Sequence, residues 1–206
     1  MLSGPFNTLK ETKMKIKDLR LALAATPKKT DVRYYLNTVK VAADHIAASN
    51  GHLLCHIKAG ASFNAIPDQS EYVLIPLETV KDFIKKVGTK SEDQTCFIKT
   101  TDCDGLTFHV LTGAGVQCLF TPVDAKYPSF DKIINNINDF KLGGPSPHIS
   151  HQFDWQYIAL ADKALSSYSN SKIGHSLYTL PIESSTQCGF FDFDNCIFVI
   201  MPMKRA

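Results

Sequence analysis

Residues 72–123 read YVLIPLETVKDFIKKVGTKSEDQTCFIKTTDCDGLTFHVLTGAGVQCLFTPV. The segment opens on a short strand, Tyr72 to Ile75. From Leu77 to Val87, the residues Val80, Phe83, Ile84 and Val87 recur at helical spacing, which predicts an amphipathic helix with one buried face. Gly88 suits its C-cap. Three strands are predicted next, at 95–100, 106–111 and 116–123. Their turn signals are Asp102-Cys103-Asp104-Gly105 and Gly113-Ala114-Gly115. The unit is a helix followed by three antiparallel strands, led by a short strand.

The same unit is predicted on either side. Upstream, Met14 to Ala25 reads as a helix with Ile16, Leu19 and Leu23 on one face, ended by Thr26-Pro27. Strands are expected at 32–41, 45–49 and 52–58, and Asn50-Gly51 is a two-residue hairpin signal. Residues 1–13 read either as a first strand or as a leader. Downstream, residues 124–147 form a connector with a short amphipathic stretch at 130–137 and a break at Gly143-Gly144-Pro145-Ser146-Pro147. A third unit follows: a short strand at 148–152, a helix at 153–168, and strands at 177–182, 187–193 and 196–201. Three copies of one supersecondary unit decide the fold class before any motif is considered. Two units pair into a two-layer α+β domain. The third has no complete partner unit, so its apolar residues Trp155, Ile158, Leu165, Phe191 and Phe193 are expected to pack on the first domain or on another copy.

The 206 residues carry 22 Lys+Arg against 20 Asp+Glu, with 44% hydrophobic residues, which excludes a disordered or fibrous chain. No apolar run approaches the roughly 20 residues of a membrane span, and the start has no secretory h-region. Six cysteines without a C-x-x-C pair read as free thiols of a reducing cytoplasm. Charge is concentrated near the start, where residues 10–29 hold seven basic and two acidic residues. No catalytic, cofactor or metal motif stands out. There is no G-x-S-x-G, P-loop or G-x-G-x-x-G, and Gly113-Ala114-Gly115 is a turn. His148 and His151 lie three apart beside a break, and the His52/His56 pair reads as structural.

Several segments match one known family in order. Asp31-Val32-Arg33-Tyr34-Tyr35-Leu36-Asn37 resembles a segment of the bacterial DNA polymerase III beta subunit, the sliding clamp. Ser49-Asn50-Gly51-His52-Leu53-Leu54 is similar to its Thr-Asp-Gly-His-Arg-Leu hairpin, with Asn50 for the Asp and Leu53 for the Arg. Val73-Leu74-Ile75-Pro76 and the helix after it sit where the family has a like pair. Val123-Asp124-Ala125-Lys126-Tyr127-Pro128-Ser129-Phe130 resembles its Val-Asp-Gly-Arg-Phe-Pro-Asp-Tyr. Val199-Ile200-Met201-Pro202-Met203-Lys204 resembles its terminal Val-Val-Met-Pro-Met-Arg. The likeness implies the sliding-clamp fold in about one and a half clamp domains: a middle-domain type at 1–135, a linker at 136–147, and the end of a last-domain type at 148–206. The chain then looks like a short, phage- or plasmid-type relative.

The likeness also implies a non-enzymatic replication or repair factor without cofactor, one that binds duplex DNA without sequence preference and tethers DNA polymerase or other clamp-binding proteins. Because one such chain cannot encircle a duplex, a homo-oligomer is implied. The DNA-facing cations would be Lys13, Lys17 and Arg20 on the first helix and Lys81, Lys85 and Lys86 on the second. By spacing alone they read as solvated helix faces. The walls of a partner-peptide pocket would be Ser49, Gly51, His52, Leu54, Met201, Pro202 and Met203, which by themselves also fit a hairpin and an ordinary strand end. The alternative is an interaction protein that keeps this pocket without encircling DNA and competes for clamp-binding peptides.

Overall fold

The computed structural model describes residues 10–58, 72–91, 93–103, 106–143, 152–169, 174–180 and 188–203. Strand β1 (Lys10–Lys15) leads into helix α1 (Ile16–Leu23), followed by β2 (Thr38–Ala42), β3 (His45–Ser49) and β4 (Leu53–Lys58). Then come β5 (Tyr72–Pro76), α2 (Leu77–Val87), β6 (Thr95–Cys103), β7 (Leu106–Gly113) and β8 (Val116–Phe120). The remainder is α3 (Asp131–Gly143), α4 (Trp155–Ser169), β9 (Leu177–Thr179), β10 (Gly189–Phe193) and β11 (Cys196–Ile200). The expected strand at 148–152, apart from Gln152, lies outside the described residues, as do the turn residues Asp104-Gly105 and most of the 143–147 break.

The repeated unit is borne out as an α+β architecture. α2 forms where its spacing predicts, burying Leu77, Val80, Phe83 and Ile84, with Glu78 in the first turn and Lys85 and Lys86 in the last, as the helix dipole favours. Gly88 stops it at φ +71°, with its N–H donating to the Ile84 carbonyl. The first helix starts later than expected, because Met14 and Lys15 pair with Cys96 and Thr95 as the end of β1. The expected strand at 32–41 is half replaced by a 3-10 turn, Tyr34–Asn37. Its cause is local: Asn37 Nδ2 donates to the Asp31 carbonyl, while Asn37 Oδ1 accepts from the Asp31 N–H, closing the loop on itself. The internal repeat also shows in the turns. Ala114 (φ 50°) and Asp194 (φ 54°) occupy the same place in the β7–β8 and β10–β11 hairpins.

Two sheets result: four strands in the order β1-β6-β7-β8, and seven in the order β5-β2-β3-β4-β11-β10-β9. The larger sheet crosses the expected boundary between 1–135 and 148–206, because β11 pairs antiparallel with β4 from Cys196↔Ile57 to Ile200↔Leu53. The stretch expected as a linker is helical as far as Gly143. α1 and α2 sit side by side, and with α4 they bury one large core against both sheets. Ile134 and Ile137 of α3 build a second, smaller core on the opposite face of the larger sheet. With both faces covered, β11 is buried at all five positions. Cys196, Phe198 and Ile200 join the first core, while Ile197 and Val199 join the second. That explains why CIFVI reads as an unbroken apolar run.

A polar fastening reinforces the junction. Tyr168 of α4 donates to Asp18 of α1 at 3.0 Å and lies 3.3 Å from Asn195 Oδ1. Asn195 in turn donates its Nδ2 to the Lys58 carbonyl and accepts the Lys58 N–H at its own. Burial raises the Asp18 carboxyl above its usual range, opposed chiefly by the Tyr168 hydroxyl. Of the apolar residues expected to be covered, Leu165 and Phe191 are buried, but Trp155 is 73% exposed. The five cysteines with described side chains are free and buried. Burial pushes the thiols of Cys96 and Cys188 up to about 12. Among the described residues, no helix is long and apolar enough to cross a membrane.

Two predictions follow from this packing. Phe198→Ala empties a fully buried site at the shared strand. Urea unfolding is expected to show a loss of about 3–5 kcal/mol, in one transition rather than two. The second concerns His56, whose ring stacks on His45 with centroids 4.8 Å apart. Its pKa is lowered to about 4, first by burial and then by the charge on His45. The folded protein therefore binds fewer protons there than the unfolded chain, whose value is about 6.5. That contribution to stability is complete above pH 6.5 and is lost as pH falls toward 4. His56→Gln is expected to flatten the drop in thermal midpoint between pH 7 and 5.

Candidate functional site

The edge of the β4–β11 seam carries a cleft of about 130 Å³. Its construction begins at the β3–β4 turn. Asn50 N–H donates to the Leu53 carbonyl, so the central turn residues are Gly51 and His52, one position later than the Asn50-Gly51 signal suggests. The Asn50 side chain holds this register, its Oδ1 accepting from the N–H groups of His52 and Leu53. Ser49 Oγ donates to the Leu53 carbonyl and accepts from the Gly51 N–H. Its hydroxyl is therefore engaged in the turn. Gly51 adopts φ +90°, and a Cβ there would stand 2.7 Å from the Arg33 guanidinium. The residues after β11 are held beside this turn, Met201 N–H donating to the His52 carbonyl and Met203 N–H to the Gln152 carbonyl.

Ser49, Gly51, His52, Leu54 and Met201, all expected as pocket walls, line this one cleft. Pro202 and Met203 are not among its lining residues, and Met203 is 47% exposed beside the start of α4. Sequence reasoning missed Tyr35, Pro128, Phe130 and Ile133, which complete the apolar lining. Pro128 and Phe130 lie in the Val123–Phe130 likeness and Tyr35 in the Asp31–Asn37 likeness, but the fold was needed to bring these segments and Ile133 to the cleft. Tyr72 OH donates to the Ala125 carbonyl and accepts from the Tyr127 N–H, fixing this segment to β5. The Tyr127 ring is buried edge-on between Tyr35 and Phe130, and burial pushes its phenol pKa upward.

Two polar groups stand at the cleft's border. Arg33 donates from Nε and Nη2 to both carboxylate oxygens of Asp31, at 3.0 and 2.9 Å. These bonds hold the half-buried Asp31 carboxyl down to about 2. His52 stacks on Tyr157 of α4 at 5.5 Å and 15°.

The expected DNA-facing cations are placed less uniformly. Lys13 lies in β1 rather than on the first helix. Lys17 is 3.2 Å from Asp93 and 4.9 Å from the centroid of the Tyr168 ring. Arg20 donates to the Gly88 carbonyl at 2.8 Å, joining α1 to the end of α2. Lys81 pairs with Glu78 at 2.9 Å and Lys86 with Asp82 at 2.6 Å, both on the exposed face of α2, and Lys85 is also exposed. Pairs of this kind contribute little stability and exchange readily. Among the described residues, no group of three or more His, Cys, Asp or Glu side chains is placed to hold a metal.

The architecture is that of bacterial DNA polymerase sliding clamps. The clamp from Pseudomonas aeruginosa, solved with a ligand, superposes with a TM-score of 0.61 at 14% identity, covering 100% of this chain and 70% of that one. The Bacillus subtilis clamp gives 0.60 at 13%, covering 100% and 67%. The Bartonella birtlesii clamp, bound to griselimycin, gives 0.60 at 15%, covering 100% and 68%. No protein-family model and no curated protein sequence matches. This chain therefore has the sliding-clamp fold and spans about 70% of the first of these chains.

Gly51→Ala tests the turn. The positive φ is expected to cost about 1–2 kcal/mol and to displace Arg33. Urea denaturation measures the first effect, and loss of the depressed Asp31 titration in NMR measures the second. An unchanged Asp31 titration would show that Gly51 does not position Arg33.

Proposed function

We propose that this protein is a non-enzymatic DNA replication or repair accessory factor of the sliding-clamp type. It meets duplex DNA through phosphates alone and tethers DNA polymerase or other clamp-binding proteins through the cleft beside the β4–β11 seam. It works as a homo-oligomer in a reducing compartment, the cytoplasm. The observation that carries this reading is the cleft itself. The hairpin residues Ser49, Gly51, His52 and Leu54 meet Met201, far away in sequence, around one apolar depression, in a fold shared with DNA polymerase sliding clamps.

The cleft's chemistry suits a short linear peptide with leucine or phenylalanine anchors. Leu54 and Val199 are buried beneath it, Ile133 and Phe130 flank it, and Met201, 42% exposed, supplies an adaptable thioether at the mouth. Leu53, which stands where the resembled family has an arginine, is fully buried in the large core. On the helix side, Lys81, Lys85 and Lys86 offer exposed charges without base-reading geometry, which gives weak, salt-sensitive and sequence-indifferent attachment. The pairing of Lys17, Lys81 and Lys86 with acids, and of Arg20 with a carbonyl, favours a second reading. In it the chain keeps the pocket, does not encircle DNA, and competes for clamp-binding peptides.

Two measurements separate these readings. A labelled peptide with leucine and phenylalanine anchors is expected to bind at micromolar concentration. Met201→Ala is expected to weaken it by about 1–2 kcal/mol with an unchanged circular dichroism spectrum. Absence of binding by the intact protein contradicts both readings. Lys85→Glu with Lys86→Glu is expected to reduce retention on duplex DNA at low salt. Peptide binding without any duplex retention selects the second reading.

A further inference from the structure

The first two units pair by a reciprocal rule. β1, which leads into α1, lies against β6, the first strand after α2, with Lys15 opposite Thr95. β5, which leads into α2, lies against β2, the first strand after α1, with Pro76 opposite Thr38. In both cases the last residue of the leading strand meets the first residue of the other unit's strand. The two units are therefore related by a local two-fold axis, and each carries both halves of one self-complementary contact. α1 and α2 lie side by side across that axis, where Arg20 donates to the Gly88 carbonyl.

The third unit keeps the register of the second. Val123, just past β8, donates its N–H to the Leu74 carbonyl ahead of α2, and Met203, equally far past β11, donates to the Gln152 carbonyl, equally far ahead of α4. Trp155 thus stands where α2 has Leu77, and Ala159, Asp162 and Ser166 stand where it has Lys81, Ile84 and Gly88. In the matching hairpins, Leu177 opposite Phe191 takes the place of Ile98 opposite Leu111. What differs is cover. Leu77 and Ile98 are buried in the paired units, whereas Trp155 is 73% exposed and Leu177 only partly buried. Among the described residues, β9 is the open end of the larger sheet.

We propose that two copies of this chain join through their third units, α4 lying antiparallel to α4 across a two-fold axis and the open edge of β9 facing the other copy. Two half-domains then complete one two-layer domain between the chains. The proposal deepens the homo-oligomer reading and rests on it. A second copy is the fitting occupant because the contact between units is self-complementary, and the charges agree. The contact of Arg20 with Gly88 carries over as Ala159 against Ser166 of the other copy, small side chains that let the helices approach closely. That register sets the axis between residues 162 and 163. Lys163, which is exposed, then meets the half-exposed Asp162 of the other copy, and the reciprocal pair forms as well. Trp155 packs on the last turn of the other α4.

Sedimentation equilibrium of the intact protein measures the association, and Trp155, the only tryptophan, reports it directly. Its emission is expected to move to shorter wavelength as rising protein concentration forms the dimer. Trp155→Ala is expected to weaken association about tenfold, and Lys163→Glu, which sets like charges together, is expected to weaken it as well. The register is tested by cross-linking. Ala159→Cys and Ser166→Cys are expected to form a disulfide dimer on mild oxidation when the two variants are mixed. Neither is expected to do so alone, since equivalent residues lie about 10 Å apart along the helices, beyond disulfide reach. All three substitutions of exposed or half-exposed side chains are checked for an unchanged circular dichroism spectrum. Absence of the mixed cross-link, or equal cross-linking by either variant alone, overturns the proposal. A stable oligomer that is indifferent to Trp155→Ala and Lys163→Glu leaves the homo-oligomer reading standing and removes this surface. A monomer at every concentration removes both.

Discussion

The antiparallel pairing of β4 with β11 is the constraint on which the rest of the molecule depends. Five residue pairs join strands far apart in the sequence, Leu53–Ile57 and Cys196–Ile200. Each strand would otherwise leave an edge of unpaired backbone groups, a standing liability for association. The pairing also places Phe198 beside Cys55 over the large core and Val199 beside Leu54 over the small one. Removing β11 would strip α4 of its sheet and α3 of half its footing. The cleft is a by-product of the same seam, because it forms where the β3–β4 turn and the residues after β11 are held together.

The cations illustrate how one sequence signal divides into two physical roles. Lys17 and Arg20 lie on α1 where it meets α2 and α4, and there charge is used for packing: one caps a ring and an acid, the other ties a carbonyl at the end of α2. Lys28 lies at the end of the basic stretch and Lys163 far from it on α4, and the fold brings both to one groove with Trp155. Charge density along the chain therefore does not tell a lysine or arginine used in packing from one left exposed.

Much of the fold was legible because it rests on short-range patterns. The i, i+3, i+4 spacing of Val80, Phe83, Ile84 and Val87 and the glycine after them delimit α2 almost to the residue. What misled was side-chain chemistry acting across a few residues. Asn37 and Asp31 fold a β-branched and aromatic stretch into a 3-10 turn, and Asn50 moves the hairpin register by one. The site was legible in part, since the Ser49–Leu54 and Met201 segments could be matched to a family. Pro128, Phe130 and Ile133 could not be assigned to it, because only the Tyr72 hydrogen bonds and α3 packing carry them to the cleft. Trp155, expected to pack on the first domain or on another copy, is exposed on the single chain; its helix is apolar over much of its circumference, so spacing does not show which side faces the core.

Native-state amide hydrogen exchange across the seam is the most direct test of this account. The account predicts that the amides of residues 54–57 and 196–200 exchange together, with the protection of global unfolding, since neither strand can open without exposing both cores. Exchange of residues 196–200 far faster than residues 54–57, with β2 and β3 still protected, would show that the third unit detaches on its own. It would contradict both the continuous sheet and the cleft that depends on it.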